Sequence, residues 1–197
     1  KNITGRFRYK LVRDIVKFVL ILCNTKVEYV GKENVPKKGR IVIASNHTDY
    51  FDCVAMVATN KRTIHFLAKD ELLKGVLGPA FKAMGIIPVN RREKDKNALP
   101  AAIKVLEEEK VIGIFPEGTF KEEIDGLLPF KIGAVKMAHD AKSVIVPMAI
   151  VGKFRPFRKG LTLVYGKPYK IKSNDLDMEN DKLKRKIQEL IDEERGK

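Results

Sequence analysis

Short apolar runs rich in β-branched residues alternate along this chain with longer segments in which apolar positions recur every three or four residues. The first kind reads as buried strands: Val27–Val30, Ile41–Ala44, Thr63–Ala68, Val111–Phe115 and Val144–Val151, the last holding Pro147. Gly85–Arg92 adds a brief strand ending in two arginines, and Pro88 within it argues for an edge or irregular strand. The second kind reads as helices. Residues 6–23 carry Leu11, Ile15, Phe18, Val19 and Leu22 at helical spacing, and further helices are expected near Phe51–Ala58, over Ala98–Glu109 and over Ile132–Ala141. Gly75–Met84 reads as a short broken helix, and from about Met178 onward Leu183, Ile187, Leu190 and Ile191 share one face. Glu107, Glu108 and Glu109 stand where the helix dipole disfavours acids, and the pattern offers no reason for them. Strands alternating with helices imply a mainly parallel sheet covered on both faces. The expected architecture is α/β: a single domain with a mainly parallel central sheet flanked by helices, with an amphipathic helix over residues 1–26 and the main domain over 27–197.

Charge changes this picture more than size does. Lys and Arg number 39 against 25 Asp and Glu, and the net charge of +14 favours an anionic partner: nucleic acid, an anionic bilayer or a phosphorylated substrate. Residues 1–40 hold eleven Lys and Arg against three acids. Arg6, Arg8, Lys10, Arg13 and Lys17 beside the apolar stripe suit a helix lying in a membrane interface, and equally a helix packed on the domain with a solvated basic face. Residues 153–172 add seven Lys and Arg, no acid, and Phe154, Phe157, Tyr165 and Tyr169. This segment and residues 6–23 are expected to face a bilayer. The longest apolar run near the N-terminus, Phe18–Cys23, is far shorter than the ~18–20 residues of a spanning helix, and no cleavable signal is visible. The chain begins at Lys1 rather than Met, which leaves room upstream for an anchor. Cys23 and Cys53 have neither metal-type nor disulfide-framework spacing, so a reducing compartment is expected.

Candidate chemistry gathers at strand ends. Ser45-Asn46-His47-Thr48-Asp49-Tyr50-Phe51-Asp52 follows the apolar run Ile41–Ala44, which delivers His47 to a strand's C-terminal end, where open α/β sheets hold their ligands. In one continuous helix His47 and Asp52 would stand about 140° apart around the axis. A turn after His47, with Asp52 opening the next helix, brings them together. A carboxylate then fixes the imidazole tautomer and stabilises its cation, which suits deprotonation of an alcohol; a capping Asp beside an unrelated His is the plainer reading of this stretch alone. Lys69 ends the next strand, Arg91 the third, and Phe115-Pro116-Glu117-Gly118-Thr119 follows the fourth. That last turn is no nucleotide loop, because Thr119-Phe120 stands where Lys-Ser/Thr is required, and no Gly-x-Ser-x-Gly elbow occurs. In a parallel sheet a base, two cations and a glycine turn converge on one edge. Arg grips phosphate through two hydrogen bonds and Lys acts as a point charge, so the implied substrate carries a phosphate and a reactive hydroxyl. Cys53 reads as an apolar filler, His65 as structural and His139 as a surface residue.

With these residues in view the sequence resembles a known family. Asn46-His47, four residues and Asp52 resemble the first signature block of the glycerolipid acyltransferases of the lysophosphatidic acid acyltransferase type. Gly85 to Arg91 is similar to the second block, Phe115 to Thr119 to the third and Val144 to Pro147 to the fourth, all in family order. Ala68-Lys69 through Leu72 and Phe130-Lys131-x-Gly133 match as well, and the resemblance covers about Val27 to Gly166. Phe120-Lys121 stands where many relatives have Arg-Ser, and Pro88 interrupts the second block; these departures bear on substrate placement.

The resemblance implies transfer of a fatty acyl group from acyl-CoA or acyl-carrier protein to the sn-2 hydroxyl of 1-acyl-glycerol-3-phosphate (lysophosphatidic acid), giving phosphatidic acid with no cofactor and no metal. His47 and Asp52 would be catalytic. Arg91, Glu117, Gly118 and Thr119, with Lys69 and Lys131, would place the phosphate or glycerol. The implied location is the cytoplasmic face of an anionic membrane, held in a peripheral or monotopic way. One alternative is a same-family enzyme acting on glycerol-3-phosphate or another lysolipid. Another is a non-catalytic basic binder of anionic membrane or nucleic acid, with the aromatics of residues 153–172 stacking on bases, although nucleic acid is the less expected partner.

Overall fold

The sheet is built outward from Ile41–Ser45 (β2), five residues that are all buried. In this computed structural model residues 7–15, 27–49, 51–74, 78–83, 85–89, 97–119, 126–153 and 160–197 are described. On one side of β2 lies Val111–Ile114 (β5) and on the other Val144–Gly152 (β6), both parallel to it, with Ile41 opposite Val111 and Val144. Beyond β5 come Ile64–Lys69 (β3) and Ile87–Val89 (β4), also parallel. Beyond β6 comes Leu161–Tyr165 (β7), antiparallel to it, and then Val27–Val30 (β1), parallel to β7. A short strand, Tyr169–Lys170 (β8), pairs antiparallel with the start of β6. Among the described residues the order is β1-β7-β6-β2-β5-β3-β4, and Pro88 sits in the edge strand β4.

Helices cover both faces. Residues 7–15 form α1, followed by Asp52–Thr59 (α2), Gly78–Ala83 (α3), Ala98–Glu107 (α4), Gly133–Asp140 (α5) and Leu176–Arg195 (α6). Successive β2 side chains point to opposite faces. Val42 and Ala44 enter a core with Leu106, Val135, Leu183 and Ile187, while Ile41 and Ile43 enter a second core with Tyr9, Met56 and Val57. Helix α6 starts at Asp175, whose carboxylate accepts the Met178 N–H at 3.0 Å, and it buries Leu183, Ile187 and Ile191. At the end of α4, Glu108 pairs with Lys110 and Glu109 adopts φ 56°, so these two acids belong to a turn while Glu107 is the last residue of the helix.

Two expectations change here. Helix α1 is packed on the domain through one side and leaves an apolar face outside. Tyr9 is buried and its hydroxyl accepts the Ile64 N–H at 3.3 Å, with burial pushing that hydroxyl's pKa up to about 12, whereas Phe7, Leu11 and Ile15 point outward. Residues 16–26 of that segment lie outside the described residues. The second change concerns residues 153–172, expected to lie against a bilayer. Leu161 to Tyr165 alternate as a strand needs, and they are drawn into the sheet as β7. Tyr165 is buried, its hydroxyl bonded to Thr59 at 2.6 Å and to Asn60 at 2.9 Å. The Tyr169 ring lies under the ammonium groups of Lys182 and Lys186, 5.1 and 5.5 Å from its centroid. Neither tyrosine is available as a platform for lipid or bases; Phe154 and Phe157 lie outside the described residues.

Because α6 is held mainly by its apolar stripe, Leu183→Ala is expected to lower stability by about 2–5 kcal/mol. Urea unfolding followed by circular dichroism measures this directly, and a midpoint equal to that of the unsubstituted protein refutes the assigned packing.

Candidate active site

Pairing between β2 and β6 stops at Ser45 opposite Met148, and the backbone leaves the sheet at Asn46. The Asn46 side chain takes over the lost rung. Its amide nitrogen donates to the Ile150 carbonyl at 2.9 Å and its oxygen accepts the Ile150 N–H at 2.7 Å, as a peptide unit of a continuing strand would. The next main-chain N–H, that of His47, donates to a Glu117 carboxylate oxygen at 2.9 Å. The chain then bends so that Asp52 opens α2 and reaches back. One Asp52 oxygen accepts the Thr48 N–H at 2.6 Å, the Asp49 N–H at 2.9 Å and the His47 Nδ1–H at 2.8 Å; the other accepts the Thr48 hydroxyl at 3.0 Å. Asp52 is buried at 1% exposure, while the His47 side chain keeps 16%.

This geometry fixes the imidazole chemically. A carboxylate can only accept, so Nδ1 carries the proton and Nε2 is the basic nitrogen. The Phe115 ring stacks on His47 with centroids 4.1 Å apart and planes 13° apart, and Phe66 stacks in turn on Phe115 at 6.3 Å. Gly113 makes room for this column: a Cβ there would lie 2.5 Å from the Phe66 ring. Cys53, next to Asp52, is no rival nucleophile, because burial and then the Asp52 charge push its thiol up to about 12. His65 Nδ1–H donates to the Gly85 carbonyl at 2.7 Å, and burial lowers its pKa, as for a structural histidine. His139 lies at the surface, bonded to Asp140 and Asn174.

The other expected residues sort into three groups. Glu117, Gly118 and Thr119 follow β5 directly, one strand over from His47. Glu117 is used inside the protein: one oxygen takes the His47 N–H and the other takes the Leu128 N–H at 2.8 Å, at 7% exposure. Gly118 has φ 68°, and a Cβ on it would meet the Lys131 ammonium at 2.6 Å, so glycine lets Lys131 lie across the turn. Thr119 is exposed at the same turn. Lys69 is the last residue of β3, at the sheet edge that carries these groups. Arg91, two positions beyond the end of β4, lies outside the described residues. A cavity of about 260 Å³ opens beside His47, Thr48 and Glu117, and its far side is formed by Lys153 and by Ile191 and Arg195 of α6. Sequence reasoning missed these last residues and the part played by Asn46. Among the described residues no cluster of three or more His, Cys, Asp or Glu is placed to hold a metal ion.

The comparisons with known proteins fit this arrangement. The family model described as acyltransferase matches residues 26–151. The chain is 33% identical over 166 residues to the 1-acyl-sn-glycerol-3-phosphate acyltransferase of Bacillus subtilis, covering 81% of this chain and 81% of the relative. It is 34% identical over 159 residues to the protein of that name from Borreliella burgdorferi, spanning 79% of this chain but only 63% of that relative. In fold it is similar to the crystal structure of the 1-acyl-sn-glycerophosphate acyltransferase PlsC from Thermotoga maritima, with a TM-score of 0.81, 22% identity, and coverage of 96% of this chain and 80% of that one. The family match over residues 26–151 makes this mainly parallel sheet that of an enzyme class that moves acyl groups. The chain belongs to the acyltransferase family, in the group whose curated relatives carry the name 1-acyl-sn-glycerol-3-phosphate acyltransferase.

Removing the Glu117 carboxylate strands two main-chain donors, and each unmet buried group costs about 1–3 kcal/mol. Glu117→Ala is therefore expected to lower the melting temperature by several degrees as well as the activity. Scanning calorimetry checks it, and an unchanged melting temperature means that Glu117 braces nothing.

Proposed function

We propose that this enzyme transfers a fatty acyl group from an acyl thioester, acyl-CoA or acyl-carrier protein, to the sn-2 hydroxyl of 1-acyl-glycerol-3-phosphate, giving phosphatidic acid. The observation that carries the reading is the His47–Asp52 contact of 2.8 Å at a sheet edge that also holds the Gly118 turn and Lys131. His47 Nε2 takes the hydroxyl proton as the acceptor oxygen attacks the thioester carbonyl, and Asp52 orients the ring and stabilises the imidazolium. The tetrahedral intermediate collapses with cleavage of the C–S bond, and the imidazolium proton goes to the departing thiolate. A thiolate leaves easily, so direct transfer needs no covalent enzyme intermediate. Lys131 and Arg91, with Lys69, suit the acceptor phosphate, and Gly118 and Thr119 line its approach. Glu117 serves the site through the His47 main chain rather than by touching phosphate, which a carboxylate repels.

His47→Ala is expected to reduce thiol release from acyl-CoA with lysophosphatidic acid at least a thousandfold while the protein stays folded, and Asp52→Asn by roughly a hundredfold or more. Thiol release is read with a chromogenic disulfide across a panel of acceptors. Activity in His47→Ala equal to the unsubstituted enzyme removes the assigned base, and turnover of glycerol-3-phosphate with lysophosphatidic acid inert moves the reading to that acceptor.

The lipid substrates also suggest how the enzyme meets a membrane. On α1, Phe7 is 67% exposed and Leu11 and Ile15 are each 52% exposed, and the three fall within an arc of about 80° beside Arg8 and Lys10. This is the pattern of a helix face lying in a bilayer interface. Among the described residues no helix is long and apolar enough to cross a membrane. Replacing Phe7, Leu11 and Ile15 together by Ser is expected to weaken co-sedimentation with phosphatidylglycerol-containing vesicles about tenfold or more. Unaltered binding takes the membrane away from α1.

A further inference from the structure

The strand order places two basic groups on opposite sides of His47. Toward β5 lies Lys131, whose side chain crosses the Gly118 turn. On the other side lies β6, parallel to β2, which runs four residues past the last pair, Ser45 opposite Met148, and ends at Gly152. Lys153 thus emerges at the same edge as His47. Helix α6 packs along β6 through Leu183, Ile187 and Ile191, which brings its last turn and Arg195 to that edge too. Both line the cavity of about 260 Å³ that His47, Thr48, Glu117, Leu127 and Leu128 also line. Two of the acids of that turn have partners within the helix end: Asp192 accepts from Gln188 at 2.8 Å and Glu194 pairs with Lys197 at 2.6 Å.

Resting on the reading above, we propose that the part of this cavity beyond His47 is the donor subsite, in which Lys153 and Arg195 hold a phosphate of the acyl donor while the thioester reaches His47. The reaction joins two substrates that both carry phosphate, and the two anions repel each other, so one cationic cluster is ill suited to hold both next to one imidazole. The acceptor's phosphate lies a few bonds from its hydroxyl and fits the near cluster at the Gly118 turn. The donor's phosphate stands a long arm away from its thioester, and the cavity offers that arm Leu127, Leu128, Ile150 and Ile191 with the amides of Asn46 and Gln188, the Glu117 carboxylate being held on the His47 N–H. Arg and Lys here offer the charge-assisted hydrogen bonds that phosphate takes best. The family-model match ends at residue 151, before both side chains, so this assignment concerns residues of this chain outside it.

Kinetics on the full chain test it. In Lys153→Met with Arg195→Met, KM for palmitoyl-CoA is expected to rise about tenfold or more with KM for lysophosphatidic acid within twofold, and the preference for palmitoyl-CoA over S-palmitoyl-pantetheine, which has no phosphate, to fall by the same factor. Lys142→Met with Lys170→Met, a matched loss of charge at the opposite edge, is expected to leave both constants alone. A rise with palmitoyl-CoA and palmitoyl-carrier protein alike assigns the pantetheine phosphate that both donors share; a rise with palmitoyl-CoA alone assigns the nucleotide phosphates. Calorimetric titration with CoA gives a readout independent of turnover, and the double variant should lose most of the binding. A rise confined to lysophosphatidic acid, or CoA binding equal to that of the unsubstituted protein, overturns the proposal. Absence of turnover in the unsubstituted enzyme with every acceptor, CoA still binding through Lys153 and Arg195, would instead count against the proposed reaction.

Discussion

A strand in the middle of a parallel sheet cannot simply end, because its neighbours still present N–H and C=O groups that need partners. That constraint governs the site. Where β2 stops, three side chains replace the missing ladder: Asn46 pairs with Ile150, Glu117 takes the His47 N–H, and Asp52 takes the N–H groups of Thr48 and Asp49. Each bond left unmade in a buried place costs about 1–3 kcal/mol, so the loop has little choice of conformation. The imidazole inherits that rigidity. Asp52 is at once the group that closes the loop and the group that holds Nδ1, so bending the chain and setting the tautomer are one event.

Packing finishes what hydrogen bonding begins. His47 has Phe115 on one ring face and Phe66 behind it, and Gly113 is small because Phe66 occupies the space above it. The two cores meet β2 from opposite sides, so the strand that carries the base has no soft face. Preorganisation of this sort lets a fixed dipole or charge act on a reacting group without first having to rearrange.

Much of this was legible in the sequence, for reasons that also explain what was not. Uninterrupted β-branched runs such as Ile41–Ala44 and Val111–Ile114 can only be strands buried on both faces, and they located His47 and Glu117 at strand ends. Pro88 marked the edge strand before any pairing was known. The sequence was a poorer guide where one composition serves two environments. Leu161-Thr162-Leu163-Val164-Tyr165 sits among cations, and its charge suggested a surface, whereas its alternation fits the antiparallel strand it forms. Helix α1 is apolar on two nearly opposite faces, so Tyr9 and Val12 pack into the core while Phe7, Leu11 and Ile15 stay outside. The Glu117 brace joins main-chain groups far apart in the chain, His47 on one side and Leu128 on the other, and no local pattern records such a pairing. The placing of Arg195 on the cavity that His47 also lines depends on how α6 packs on β6, which the sequence specifies only through the fit of Leu183 and Ile187.

The topology has one more consequence for catalysis. A single histidine serving two anionic substrates needs them to approach from different directions. Two unit charges 5 Å apart interact by about 3 kcal/mol at an effective dielectric constant of 20, and by about half that at 10 Å. Sheet strands stand about 4.8 Å apart, so moving from the β5 side of β2 to the β6 side separates two bound groups by about that larger distance. An edge strand could not offer two sides; β2, with parallel neighbours both left and right, does. The central position of the histidine strand is thus as much an electrostatic requirement as a packing one, and the antiparallel return of β7 matters because it holds β6 in the sheet out to Gly152, the residue before Lys153.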